Sequence, residues 1–191
     1  MDKHQPINSE PGILKLSHAQ VFLYLLLAVV TILFLFLTNA YVFRMNFADW
    51  QPLPVPSLLW VNTCSLVVAS MGMGWAARAA KANNKNNLKI GLFVGGLFAL
   101  FFLTGQFLAW QQLIAYGYFV ADNPANTFFY LITALHGLHI SGGIVAWIVI
   151  TKKSWKTDAV QSTAARVSLL ATYWHYLLLI WVMMFGLFLS T

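Results

Sequence analysis

Charge is what this sequence most conspicuously lacks. Only 8% of its 191 residues are Asp, Glu, Lys or Arg, where an ordinary soluble domain has about 25%. Most of the chain is therefore not built to face water. Acids are scarcer than bases. All five (Asp2, Glu10, Asp49, Asp122 and Asp158) fall outside the long apolar runs. No carboxylate stands inside a run to relay protons or serve as a general base. Cysteine is nearly absent too. Cys64 stands alone, which excludes an internal disulfide and a multi-cysteine metal site. It is expected to be a small buried apolar residue. There is no internal repeat, and the loops are too short to build an extramembrane domain or active site.

What is present is apolar. Hydrophobic residues make up 60% of the chain, with a mean hydropathy of +0.71. They fall into five runs, 21–43, 57–77, 90–112, 127–150 and 167–189. At about 1.5 Å per residue each run is long enough to cross a hydrocarbon core of about 30 Å. The runs are continuous and do not alternate, and a backbone in lipid must satisfy its hydrogen bonds within its own segment. The predicted fold is all-α: a single transmembrane domain over residues 1–191, a bundle of five helices on the five runs, with a polar tail over 1–17. The first run exceeds the apolar core of a secretory signal and no small-residue cleavage site follows it, so a cleaved leader is not expected.

The net charge of +6 is explained by where the bases lie. Counting alternate sides of a membrane from the N-terminus, one side carries Lys3, Lys15, Arg78, Lys81, Lys85, Lys89, Lys152, Lys153, Lys156 and Arg166. The other carries Arg44 alone. This asymmetry predicts a cytoplasmic N-terminus and an external C-terminus. It needs no nucleic-acid partner. "WQPLPVPS" reads as a stiff external loop, and the Asn-Pro of "AYGYFVADNPANT" as a turn, with Asn126 or Thr127 expected to cap the next helix. Arg44, Trp50, Trp60, Trp75 and Trp155, near run ends, are candidates for contact with lipid headgroups.

Helical periodicity sorts the interior positions. Gly91, Gly95 and Ala99 share a stripe of the third run, continued by Gln106 and Trp110. Small residues four apart let backbones approach closely. Phe129, Ile132, His136, His139, Gly143 and Trp147 share a stripe of the fourth. Ser168, Ala171, Thr172, His175, Val182 and Gly186 share one of the fifth. The small neighbours of the histidines predict that these stripes face protein. By depth, His139 and His175 are level within the error of counting, so a bis-histidyl haem is conceivable. A proton relay through imidazole alone is a second reading, and plain interhelical packing is the one the chemistry favours. Ser141 lies two residues from His139 on another face, and no nucleophile motif surrounds it.

Four segments then carry a resemblance. "PSLLWVNTCSLVVASMGMGWAARAA", "TGQFLAWQQL", "FFYLITALHGLHISGG" and "YWHYLLLIW" occur in the order, and with the His-Gly-x-His and Tyr-Trp-His signatures, of subunit III of the haem-copper respiratory oxidases, the cytochrome c and quinol oxidases. The chain resembles that family over roughly residues 20 to 185, in its short five-helix bacterial form. The resemblance implies a non-catalytic subunit of an oxygen-reducing, proton-pumping complex in the bacterial inner membrane. It implies no cofactor in this chain and no metal ligands. Haem and copper are expected in partner subunits, with subunit I a direct partner, subunit II and small subunits in the same complex, and phospholipid bound. Gln106, His136, His139, Tyr173, Trp174 and His175 would then be a structural polar framework, with Gly91, Gly95 and Gly143 at helix contacts. Two departures stand out: the first run lacks the acid that members often carry, and Leu178 stands where an acid often follows Tyr-Trp-His. They place a divergent branch in view, including one associated with a nitric oxide reductase. A b-type membrane cytochrome, a small-solute carrier and an unrelated scaffold are the readings from other classes.

Overall fold

The computed structural model describes residues 17–156 and 160–190. Most of the predicted polar tail, residues 1–16, lies outside the described residues. The described chain forms five helices: α1 (His18–Arg44), α2 (Leu58–Lys81), α3 (Lys85–Ala115), α4 (Pro124–Lys156) and α5 (Gln161–Leu189). All five are long and apolar enough to cross a membrane. Each extends past its apolar run. The added residues are mostly polar, and they continue helical hydrogen bonding into the zone where lipid gives way to water.

Local chemistry fixes the ends. Ser17 caps α1 in a reciprocal box: its hydroxyl accepts from the Gln20 amide (3.3 Å), and Gln20 Oε1 accepts from the Ser17 amide (2.8 Å). Between α2 and α3 the chain reverses at Asn83, in the left-handed region at φ +56°. Asn84 then caps α3 by accepting from the Asn87 amide at 3.0 Å. The expected cap of the fourth helix is corrected. Helix α4 starts at Pro124, and Asn123 Oδ1 accepts the Ala125 amide at 2.9 Å. Proline fits the first helical position because its missing N–H would have no partner there. Asn126 and Thr127 instead donate back to Phe119 O and Val120 O, tying the preceding loop down.

Helices α2, α3, α4 and α5 form a closed ring in which each touches the next, with α5 returning to α2. Among the described helices, α1 stands outside the ring and packs on α4 and α5. The tightest seam is α2–α3. A Cβ at Gly72 would lie 2.8 Å from Gly95 N, and one at Gly91 would lie 2.7 Å from Ala76 N. Only glycine permits that backbone approach. Helix α1 is pinned to α5 where the Thr31 and Tyr176 hydroxyls meet at 2.8 Å and both reach the Leu27 carbonyl.

Two expectations about faces are overturned. Cys64 is exposed, not buried. It lies on the side of α2 turned from its neighbours, where a small apolar residue suits lipid as well as protein. Of the predicted α5 stripe, Thr172, His175, Val182 and Gly186 are also exposed, while Ala171 is buried and Ser168 partly so. The buried face of α5 is instead the one bearing Leu170, Tyr173, Trp174, Leu177, Trp181 and Phe188. The ring is wide enough for large aromatics to fill its centre, so small residues were left for the outside.

Candidate functional site

The centre of the ring is an aromatic box around His136. The imidazole stacks on Trp181 (centroids 5.2 Å, planes 29° apart) and meets Phe102 and Phe34 edge-on at 5.7 and 6.3 Å. Helices α4, α5, α3 and α1 each supply one member of the box. Helix α2 reaches the same layer through Thr63, whose hydroxyl accepts from Trp181 Nε1 at 2.9 Å. His136 is fully buried, and neither ring nitrogen has a partner among the described residues. It is a packed interhelical imidazole ringed by aromatic side chains.

The other framework residues part company. His139 turns toward α1: its Nδ1 lies 2.7 Å from the Leu135 carbonyl and its ring 5.7 Å from that of Phe34. Tyr173 faces α4, donating to the His139 carbonyl at 2.8 Å. Its ring fills the space that a Cβ at Gly143 would need, 2.9 Å away. His175 lies two residues further along α5, hence on nearly the opposite side. It shares a 2.5 Å hydrogen bond with Ser70 of α2 through Nδ1. His139 and His175 therefore face different helices and do not oppose each other across a haem-sized gap. Trp174 is buried beside Gly143, with its N–H unpartnered among the described residues. Gln106 Oε1 accepts from Asn62 across the α2–α3 seam at 3.4 Å.

Several residues of this framework were not singled out beforehand. Asn62, Thr63, Ser70, Thr133 and Trp181 each bind a neighbouring helix. Trp110 donates to Thr133 Oγ1 at 3.1 Å, and Trp147 donates to the Leu92 carbonyl at 2.8 Å. For Asn62 and Trp147 the signal in the sequence was a glycine elsewhere. The Trp147 ring occupies the Cβ position of Gly96, and Asn62 that of Gly105. No such pairing can be recognised before the helices are placed.

At the end of the bundle bearing the α1–α2 loop, Tyr41 packs edge-on against Trp50 (4.9 Å), Phe128 and Phe188. Trp50 is thus half-buried in protein. Arg44 is bonded to Asp49 and lies 4.7 Å above the Phe47 ring. That hydrogen bond from Arg44 holds the Asp49 carboxyl below the usual carboxylate range. Trp60, Trp75 and Trp155 are exposed. The described residues contain no group of three or more His, Cys, Asp or Glu side chains placed to hold a metal ion.

The arrangement of the described residues is a helical assembly held by aromatic and amide contacts. The family model of cytochrome c oxidase subunit III matches residues 42–190, which take in α2 to α5 whole. The chain belongs to the cytochrome c oxidase subunit III family. Among relatives, the probable cytochrome c oxidase subunit 3 of Nocardia farcinica is 29% identical over 143 residues, 72% of this chain and 70% of that one. Its counterpart in Mycobacterium tuberculosis is 26% identical over 140 residues, 72% and 69% of the two chains. The cytochrome bo(3) ubiquinol oxidase subunit 3 of Pseudomonas aeruginosa is 26% identical over 125 residues, 65% and 60%. As a subunit III, the chain is a multi-pass membrane component of a haem-copper oxidase, an oxidoreductase complex. The His-Gly-x-His signature of α4 acquires a physical meaning here. Its first histidine fills the centre of the subunit III bundle. Its second faces α1, the one helix outside the ring.

Proposed function

We propose that this chain is an accessory subunit without an active site, redox centre or metal of its own. As one transmembrane unit it packs directly on subunit I, where haem and copper reside, within a complex that also holds subunit II. Its role is to support assembly and sustained turnover of oxygen reduction and proton pumping. It sits in the bacterial inner membrane with its cation-rich end in the cytoplasm, and Trp60, Trp75 and Trp155 meet phospholipid headgroups. The observation that carries this reading is the family match across α2 to α5. The site geometry supports it, since His136 sits in the aromatic box, His139 turns toward α1 and His175 toward α2, and they are not opposed as an axial ligand set.

Gentle solubilisation followed by affinity capture of this chain tests the reading. The expected result is co-purification of a large haem- and copper-containing partner. The isolated chain is expected to show no Soret absorbance. A Soret band retained on the isolated chain and lost in His139→Ala would replace this reading with a membrane cytochrome. Deleting the chain is expected to leave an oxidase whose initial oxygen consumption decays during turnover, or one that assembles poorly. Unchanged assembly together with a steady rate would remove the accessory role.

A further inference from the structure

Gln106 is only half satisfied. It is 3% exposed, and its Oε1 accepts from Asn62 on the α2 side of α3. Its Nε2 is enclosed and has no partner among the described residues. An amide N–H without an acceptor is costly in so apolar a place. The planar amide carries its nitrogen away from the Asn62 contact, and Gln106 forms part of the wall of a groove of about 360 Å³ between α3 and α4.

The rest of that wall is apolar or already satisfied. Ser141 Oγ donates to the Gly137 carbonyl at 2.8 Å, and Trp110 Nε1 donates to Thr133 Oγ1 at 3.1 Å. On the α4 side Ala134, Gly137 and Ser141 follow at intervals of three and four residues, so they form one stripe of small residues. A Cβ at Gly137 would meet only Leu103 Cδ2, at 3.9 Å, so the bundle itself does not fill the space above the stripe. Small residues facing outward let the backbone of another helix approach closely. Depth decides what the occupant is. Gln106 lies six residues inside the end of its apolar run at Gln112, about 9 Å below the edge of the hydrocarbon. Acyl chains offer no acceptor there, and the ester oxygens of a lipid stay at the edge. An acceptor at that level belongs to protein: a backbone carbonyl or an uncharged side chain of another helix.

We infer that the α3–α4 groove seats a transmembrane helix of a neighbouring subunit of the oxidase. A small residue of that helix lies against Gly137, and an uncharged oxygen acceptor comes within reach of the Gln106 amide. The inference rests on the proposed packing against a partner subunit and adds the face that is used.

Photo-cross-linking of the full chain in native membranes tests it, with p-benzoylphenylalanine in place of Leu138, which stands exposed on α4 at the groove. The expected product joins this chain to a transmembrane segment of a different polypeptide in the captured complex, identified by peptide mass spectrometry. Gly137→Leu fills the groove, and Gln106→Met removes the donor. Each should lower the fraction of the chain that migrates with its haem-containing partner in blue-native gels by about fivefold. Gly186→Leu, the same enlargement on α5 where a Cβ meets nothing within 4 Å, should not. Circular dichroism establishes that each variant keeps its helices. A wild-type chain that captures its haem-containing partner but cross-links at position 138 to lipid alone, or to a second copy of itself, would overturn this site and leave the proposed function standing. Wild-type retention of both Gly137→Leu and Gln106→Met would do the same. Capture of no haem-containing partner by the wild type would overturn the proposed function, and the site with it.

Discussion

Asn62 and Gly105 meet across the α2–α3 seam as a lock at the scale of single residues. The Asn62 side chain occupies the place a Cβ on Gly105 would take and donates to Gln106 at 3.4 Å. Asn62→Ala strands the Gln106 oxygen in the core and should cost about 1–3 kcal/mol. Gly105→Ala overpacks the seam and should cost a similar amount, about 1–3 kcal/mol. The double variant should cost less than the sum, because the new methyl fills the space the amide vacated. Unfolding of detergent-solubilised protein by sodium dodecyl sulfate measures all three. Strict additivity would mean that the two residues do not share this space. His136 shows the limit of residue-level reading. A histidine in an apolar run suggests a hydrogen-bonded brace or a ligand, because an isolated imidazole is costly in hydrocarbon. Its actual company is three aromatic rings from three other helices, none near it in sequence.

Among the helical elements, the glycines divide into those that a neighbouring backbone needs and those that it does not. A Cβ at Gly72 would stand 2.8 Å from the backbone of Gly95, whereas one at Gly186 meets nothing within 4 Å. Gly72→Ala should therefore pry α2 from α3, at about 1–3 kcal/mol. Gly186→Ala should be neutral or stabilise by up to about 1 kcal/mol through helix propensity. The same unfolding assay separates them, and equal effects would contradict the seam. The α1–α2 loop carries a pH signature. Arg44 lowers the Asp49 pKa, so the pair is intact above the ordinary carboxylate range and is lost as pH falls through the depressed native value. The Asp49 carboxyl resonance in solid-state NMR should titrate below that range and return to it in Arg44→Gln. An unchanged midpoint would show that the pair does not hold the loop. Helix number and position were legible because a spanning segment must satisfy its own backbone in lipid, which leaves an unbroken apolar run. Helix faces were only partly legible. In α3 and α4 small residues and polar side chains marked the interior, but in α5 they marked the exterior, since lipid and protein interior are equally apolar solvents for a side chain.

For the molecule as a whole, the ring of α2 to α5 with α1 outside it could not be read from the chain, because nothing in an all-apolar run states which of its neighbours it will touch. What did carry over is the uneven distribution of charge. The described cations Arg78, Lys81, Lys85, Lys89, Lys152, Lys153, Lys156 and Arg166 lie at or near one end of the bundle, and Arg44 lies at the other. Cationic loops resist translocation, so the proposed orientation puts the first end in the cytoplasm. A Cys64→Ser background allows a direct test, since Cys64 is the only cysteine in the chain. A single cysteine at Ala48, in the exposed α1–α2 loop, should react with a membrane-impermeant maleimide on intact cells. One at Ala82, in the exposed α2–α3 turn, should react only after permeabilisation. The reverse pattern would put eight described cations outside the membrane and sink the orientation. It would leave the bundle and its aromatic centre as they are.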